Sequence, residues 1–143
     1  MKRKSLYVVI LALVAALIIV NFGAEANGIG ADGSRKMKVT IQASCKNTNS
    51  VGNEWSQTYT LNGQTIKSGT TIEFAPGENV TFAAKVVEAD DSLDDVGTGS
   101  KSITLTEQDI RNGLSFEIPV TVTENGGRYK GNKAVWTIKV SIK

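Results

Sequence analysis

The chain has 143 residues, with 16 Lys and Arg against 14 Asp and Glu, one Cys and no His. Without His, Ser–His–Asp and Cys–His nucleophile systems are excluded, and the commonest general base and transition-metal ligand are missing. The single Cys45 cannot close an internal disulfide, so the fold must stand on its apolar core.

Met1-Lys2-Arg3-Lys4 is a basic start, and residues 6–20 are an unbroken apolar run. Ala24-x-Ala26 follows, with the small-x-small form of a signal-peptidase site. The run is shorter than the about 20 residues of a membrane span. Residues 1–26 therefore read as a signal peptide cleaved before Asn27; the alternative is an uncleaved anchor. In either case the remainder lies outside the cytoplasm, secreted or held on the outer face of the cytoplasmic membrane. The first 26 residues hold three of the 16 basic side chains and one of the 14 acidic ones, so the remainder carries 13 of each and is neutral. A neutral domain offers no nucleic-acid footprint. The 117 residues that remain after residue 26 are enough for one domain with a real core.

Residues 27–36 are Gly-rich and lack periodicity, which predicts a flexible linker ahead of a domain at 37–143. Met37, Val39, Ile41, Ala43 and Cys45 alternate with polar residues and predict a half-buried strand, with Cys45 as a small buried hydrophobe. Residues 46–54 form a polar loop. Trp55, Gln57, Tyr59 and Leu61 are in phase, and Asn62-Gly63 predicts a type I′ hairpin turn. A short strand at 70–74 ends in the Pro76-Gly77 turn. In the strand at 80–88, Val80, Phe82, Ala84 and Val86 face inward, and Glu88 continues that phase and so emerges at the strand's end.

After an acidic loop, Gly97-Thr98-Gly99-Ser100 predicts a break, followed by a strand carrying Ile103 and Leu105. Residues 106–113 are the one helical candidate, with Thr106 as N-cap and Gly113 as the stop. The long strand at 114–122 carries Pro119 on its outer phase, which predicts an edge position or a bulge. A Gly-rich turn at 124–132 leads into a last strand with Ala134, Trp136, Ile138, Val140 and Ile142 inward. Seven or eight short strands without a long amphipathic helix predict an all-β antiparallel sandwich, with Trp55 and Trp136 as core anchors.

The stretch that asks for an explanation is Val86-Val87-Glu88-Ala89-Asp90-Asp91-Ser92-Leu93-Asp94-Asp95-Val96-Gly97. Its five carboxylates repel, and a divalent cation would supply the missing charge. The plainer reading is a solvated acidic loop. Calcium takes six to eight oxygens from flexible loops, and Glu88, Asp90 and Asp94 at i, i+2 and i+6 can converge on one. Asp95, Glu54 or Asn53, and loop carbonyls can complete the shell. Magnesium fits less well because it seldom uses an all-protein cage.

This stretch resembles the main calcium loop of C2 domains, which runs approximately apolar-x-Asp-x-Asp-x(several)-Asp-x-apolar-Gly. The match sets Glu88, Asp90 and Asp94 at the ligand positions and Val96-Gly97 at the exit, with Asp91 and Asp95 as extra carboxylates. The resemblance implies an eight-stranded antiparallel sandwich that binds calcium in apical loops, often to engage a membrane through tip residues such as Leu93. It extends weakly over residues 37–143. The chain departs from the pattern in its first loop, residues 46–56, where the only carboxylate is Glu54 and Ser56-Gln57-Thr58-Tyr59 stands in place of Asp-Pro-Tyr.

The expected function is thus a secreted or surface-exposed, non-enzymatic β-sandwich binding module with a Ca2+ site at Glu88, Asp90, Asp94, Asp95 and Glu54. Its partner would be a protein, a glycan or a membrane surface. The alternative is a metal-independent extracellular adhesion or protein-interaction domain. A hydrolase using Glu88 and Asp90 ranks last, because nothing nearby would keep one acid protonated while another is charged.

Overall fold

The computed structural model describes residues 28–91 and 93–143. The basic start, the apolar run and the Ala24-x-Ala26 site lie outside the described residues.

Among the described residues, eight strands make two antiparallel four-stranded sheets that pack as a sandwich, with one short helix beside them. The strands are β1 (Arg35–Asn47), β2 (Trp55–Leu61), β3 (Gln64–Ile66), β4 (Thr71–Phe74), β5 (Asn79–Glu88), β6 (Asp95–Thr104), β7 (Leu114–Thr123) and β8 (Lys133–Ile142), with α1 (Glu107–Asn112) between β6 and β7. One sheet has the order β4-β1-β8-β7 and the other β3-β2-β5-β6. Ahead of β1, residues 28–34 form a turn, closed by Gly30 N–H on the Ser34 carbonyl at 2.6 Å and Gly33 N–H on the Gly30 carbonyl at 2.9 Å. Arg35 and Lys36, read from sequence as linker, belong to β1.

The period of two sorts each strand into a core face and a solvent face. Val80, Phe82, Ala84 and Val86 of β5, Phe116, Ile118, Val120 and Val122 of β7, and Ala134, Trp136, Ile138, Val140 and Ile142 of β8 are all buried. In β1, Met37, Val39 and Ile41 are buried, Cys45 is half-buried against the core, and Ala43 is exposed. The Trp55 and Trp136 rings meet between the sheets with centroids 5.2 Å apart and planes tilted by 58°. Asn62 and Gly63 take φ of 49° and 81°, as a type I′ turn between β2 and β3 requires. Helix α1 starts with a full capping box: the Thr106 hydroxyl accepts from Asp109 N–H, and the Asp109 carboxylate accepts from Thr106 N–H.

The predicted break at 97–100 does not occur; β6 runs without interruption from Asp95 to Thr104. Its glycines serve sheet-to-sheet contact. A Cβ on Gly97 would sit 2.4 Å from the Thr121 carbonyl oxygen, and one on Gly99 would sit 2.4 Å from the Pro119 carbonyl oxygen. Edge strands β6 and β7 thus close one side of the sandwich backbone against backbone, which a side chain would prevent. Pro119 lies on β7 at the edge of its sheet, where its missing N–H costs no ladder bond.

Candidate metal centre

Three connections gather at one end of the sandwich: residues 48–54 between β1 and β2, 89–94 between β5 and β6, and 124–132 between β7 and β8. Hydrogen bonds stitch them together. Ala89 N–H donates to the Glu54 carbonyl at 2.9 Å, and the Asn132 side-chain amide donates to the Asn49 carbonyl at 2.8 Å.

The inward phase of β5 carries Glu88 to the rim of the core, where it is 2 % exposed. Directly across the β5–β6 ladder stands Asp95, 0 % exposed. Asp90, one step into the loop and exposed, completes a group in which each residue offers one carboxylate oxygen within 4.8 Å of the others. These three residues can hold a metal ion. The donors are all carboxylate oxygens, which selects hard cations over those that prefer imidazole or thiolate.

Half of each buried carboxylate is occupied by backbone donors. Glu88 Oε1 accepts from Asn53 N–H at 3.0 Å and Glu54 N–H at 3.3 Å. Asp95 Oδ1 accepts from Asn125 N–H at 2.8 Å. The other halves, Glu88 Oε2 and Asp95 Oδ2, are buried and have no hydrogen-bond partner among the described residues. Orphaned buried oxygens on charged groups are expensive, and here two of them belong to one group. Among the described residues the one ion pair is Arg111 with Glu107 on the surface of α1, so no Lys or Arg is paired with a carboxylate of this group.

The loop at 48–54 reads as polar in sequence, yet Val51 within it is fully buried. That plug pins the loop over Glu88. Gly52, at φ +26°, then passes so close that a Cβ there would lie 1.6 Å from Glu88 Oε1. The position needs Gly both for its backbone angle and for the carboxylate beneath it.

Of the five expected ligands, Glu88, Asp90 and Asp95 come together. Asp94 stays exposed beside them, its Oδ1 accepting Asp90 N–H at 3.3 Å. Glu54 is exposed and contributes its backbone N–H and carbonyl to the Glu88 end rather than a carboxylate to the group. Asn53 likewise acts through its N–H. Sequence reasoning missed Glu124, which heads the 124–132 loop. Its carboxyl is pushed above the usual range by partial desolvation and then by the charges of Asp95, Asp90 and Glu88, while Gly126 N–H holds it partly back. Nothing in the sequence spacing links position 124 to position 95; only the packing of β6 on β7 does.

The ladder also sets Trp55 opposite Glu88, so indole and carboxylate share the inner face. The Trp136 Nε1 behind it is buried without a partner among the described residues. The described helix is far too short to cross a membrane, and among the described residues none is long and apolar enough to do so. Comparison of the chain with protein-family models, with curated proteins and with solved structures finds no match.

Proposed function

We propose that this chain is a non-enzymatic, C2-like binding module that works outside the cytoplasm and takes calcium at Glu88, Asp90 and Asp95. The observation that carries this reading is the pair of buried, unpartnered oxygens, Glu88 Oε2 and Asp95 Oδ2, in a group no wider than 4.8 Å. A cation bound there satisfies both and cancels the repulsion between three carboxylates. Calcium is favoured because it accepts six to eight oxygens from flexible loops, whereas magnesium demands a near-ideal octahedron and seldom uses an all-protein cage. Eight strands in two sheets, with the acidic loop at one end beside the 48–54 loop, agree with what the resemblance implies. Placement outside the cytoplasm rests on the residues before 27.

The test is terbium(III) luminescence, since this ion occupies calcium's oxygen sites. Trp55 stands opposite Glu88, so excitation of the indole should sensitise a bound terbium ion. The reading expects sensitised emission that excess calcium quenches and equimolar magnesium leaves in place. Absence of emission, or emission indifferent to calcium, overturns it. In that event the exposed Leu93, at 67 %, and Tyr129, at 47 %, on the same end favour a metal-independent contact surface.

A further inference from the structure

Glu88, Asp90 and Asp95 all come from one hairpin of one sheet. The opposite sheet brings its own carboxylate to the same place. Gly97 meets the Thr121 carbonyl and Gly99 meets the Pro119 carbonyl. The two edge strands therefore run past one another in steps of two, and the next step sets Asp95 against Thr123. Glu124 is the following residue.

Its backbone is fixed. Glu124 N–H donates to the Asn132 carbonyl at 2.9 Å, and its carbonyl accepts Gly131 N–H at 2.9 Å. The next peptide donates Asn125 N–H to Asp95 Oδ1 at 2.8 Å, so the chain around Glu124 is held on a carboxylate of the group. The side chain is much less constrained. Its hydrogen bond is the long one from Gly126 N–H to Oε1, 3.3 Å, and among the described residues no Lys or Arg pairs with it.

We propose that Glu124 is a further carboxylate ligand of the bound cation, supplied by the 124–132 loop, so that the ion clips the two sheets together. The inference rests on the cation reading of Glu88, Asp90 and Asp95. The Glu124 carboxylate stands outside the 4.8 Å group, so joining it requires rotation about its side-chain bonds and release of the long Gly126 contact. With this ligand the site gains a fourth negative charge, and calcium affinity rises with the number of charged ligands.

The experiment is calorimetric titration of calcium into the metal-free full-length chain, wild type against Glu124→Gln and Glu124→Asp, at low salt and at about 1 M salt, where charges act over only about 3 Å. The expected result is wild-type binding, a loss on the order of tenfold in Glu124→Gln that persists at high salt, and a smaller loss in Glu124→Asp. Unchanged affinity in Glu124→Gln overturns the proposal while leaving the three-residue site intact. A loss that disappears at high salt also overturns it, since Glu124 would then act only through its long-range field. A wild-type chain that takes up no calcium removes the site and this ligand with it. Should Glu124→Gln fail to fold, judged by circular dichroism in EDTA, the Glu124→Asp comparison decides: affinity equal to wild type overturns the proposal, because a ligand shortened by one methylene must lose reach.

Discussion

Replacing Asp95 with Asn removes one charge and almost no volume, and its effect on stability should change sign with calcium. Asp95 shares a 4.8 Å group with two other carboxylates. Two unit charges at that spacing repel by roughly 1 kcal/mol in a water-like medium and by about 3–4 kcal/mol at an effective dielectric of 20. Asn keeps the Oδ1 that accepts Asn125 N–H, and it puts an NH2 donor where Oδ2 stands buried and unpartnered. In EDTA the variant should therefore be more stable than wild type, by about 1–3 kcal/mol. In a domain of this size that amounts to a melting point higher by roughly 4 °C per kcal/mol. With calcium at a hundredfold excess over Kd, wild type gains about 2.7 kcal/mol and the variant little, so the order closes or inverts. Thermal unfolding followed by circular dichroism in EDTA and in calcium reads all four states. An Asp95→Asn variant less stable than wild type in EDTA would refute the claim that the metal-free group is under electrostatic strain.

Further outcomes follow from neighbouring positions. Gly52→Ala places a methyl on Glu88 Oε1 at φ +26°, so it should expel the carboxylate and abolish terbium emission sensitised by Trp55. Retention of full emission in that variant would mean that Glu88 does not hold the ion. Gly99→Ala drives a Cβ into the Pro119 carbonyl and should cost about 1–3 kcal/mol or more in urea denaturation, with calcium affinity of the folded fraction preserved. Thr106→Ala should cost about 1 kcal/mol at neutral pH. Hydrogen bonds from the Thr106 side chain and N–H hold Asp109 below its ordinary pKa of 3.8. A depressed carboxyl stabilises the fold above its unfolded value and loses that contribution as pH falls through its folded value. The gap between Thr106→Ala and wild type should therefore narrow below about pH 3.8, and a gap that widens in acid would contradict the capping box.

The all-β sandwich was legible because alternation is local: Val80 to Glu88 and Ala134 to Ile142 announce their inner faces without any knowledge of partners. The Asn62-Gly63 turn and the Thr106 cap were legible for the same reason, as each is decided within four residues. The break expected at 97–100 was a misreading of Gly97 and Gly99. Glycine signals a turn when only the local chain is considered, but here it permits the approach of β7, whose contacting residues Thr121 and Pro119 lie 24 and 20 positions further on. Glu88 was legible as a site residue because it keeps the inward phase of β5, but it was expected to emerge at the strand's end; its burial comes from the 48–54 loop folding over it, which local alternation does not announce. Asp95 was visible only as an extra carboxylate, because the register that sets it across from Glu88 depends on how tightly the hairpin closes. Asp94, at the matched ligand position, instead accepts Asp90 N–H, one residue short of the ladder. Val51 and Glu124 were invisible: one is a lone apolar residue in a polar loop, and the other is brought beside the group only through packing between sheets.

The central claim is that Glu88, Asp90 and Asp95 hold calcium, and anomalous diffraction from crystals grown with calcium tests it most directly. The account predicts an anomalous peak between the three residues, with Glu88 Oε2 and Asp95 Oδ2 at about 2.3–2.6 Å from it. A peak bound only by Asp91 and Asp94 at the loop tip, or no peak at millimolar calcium, would contradict it.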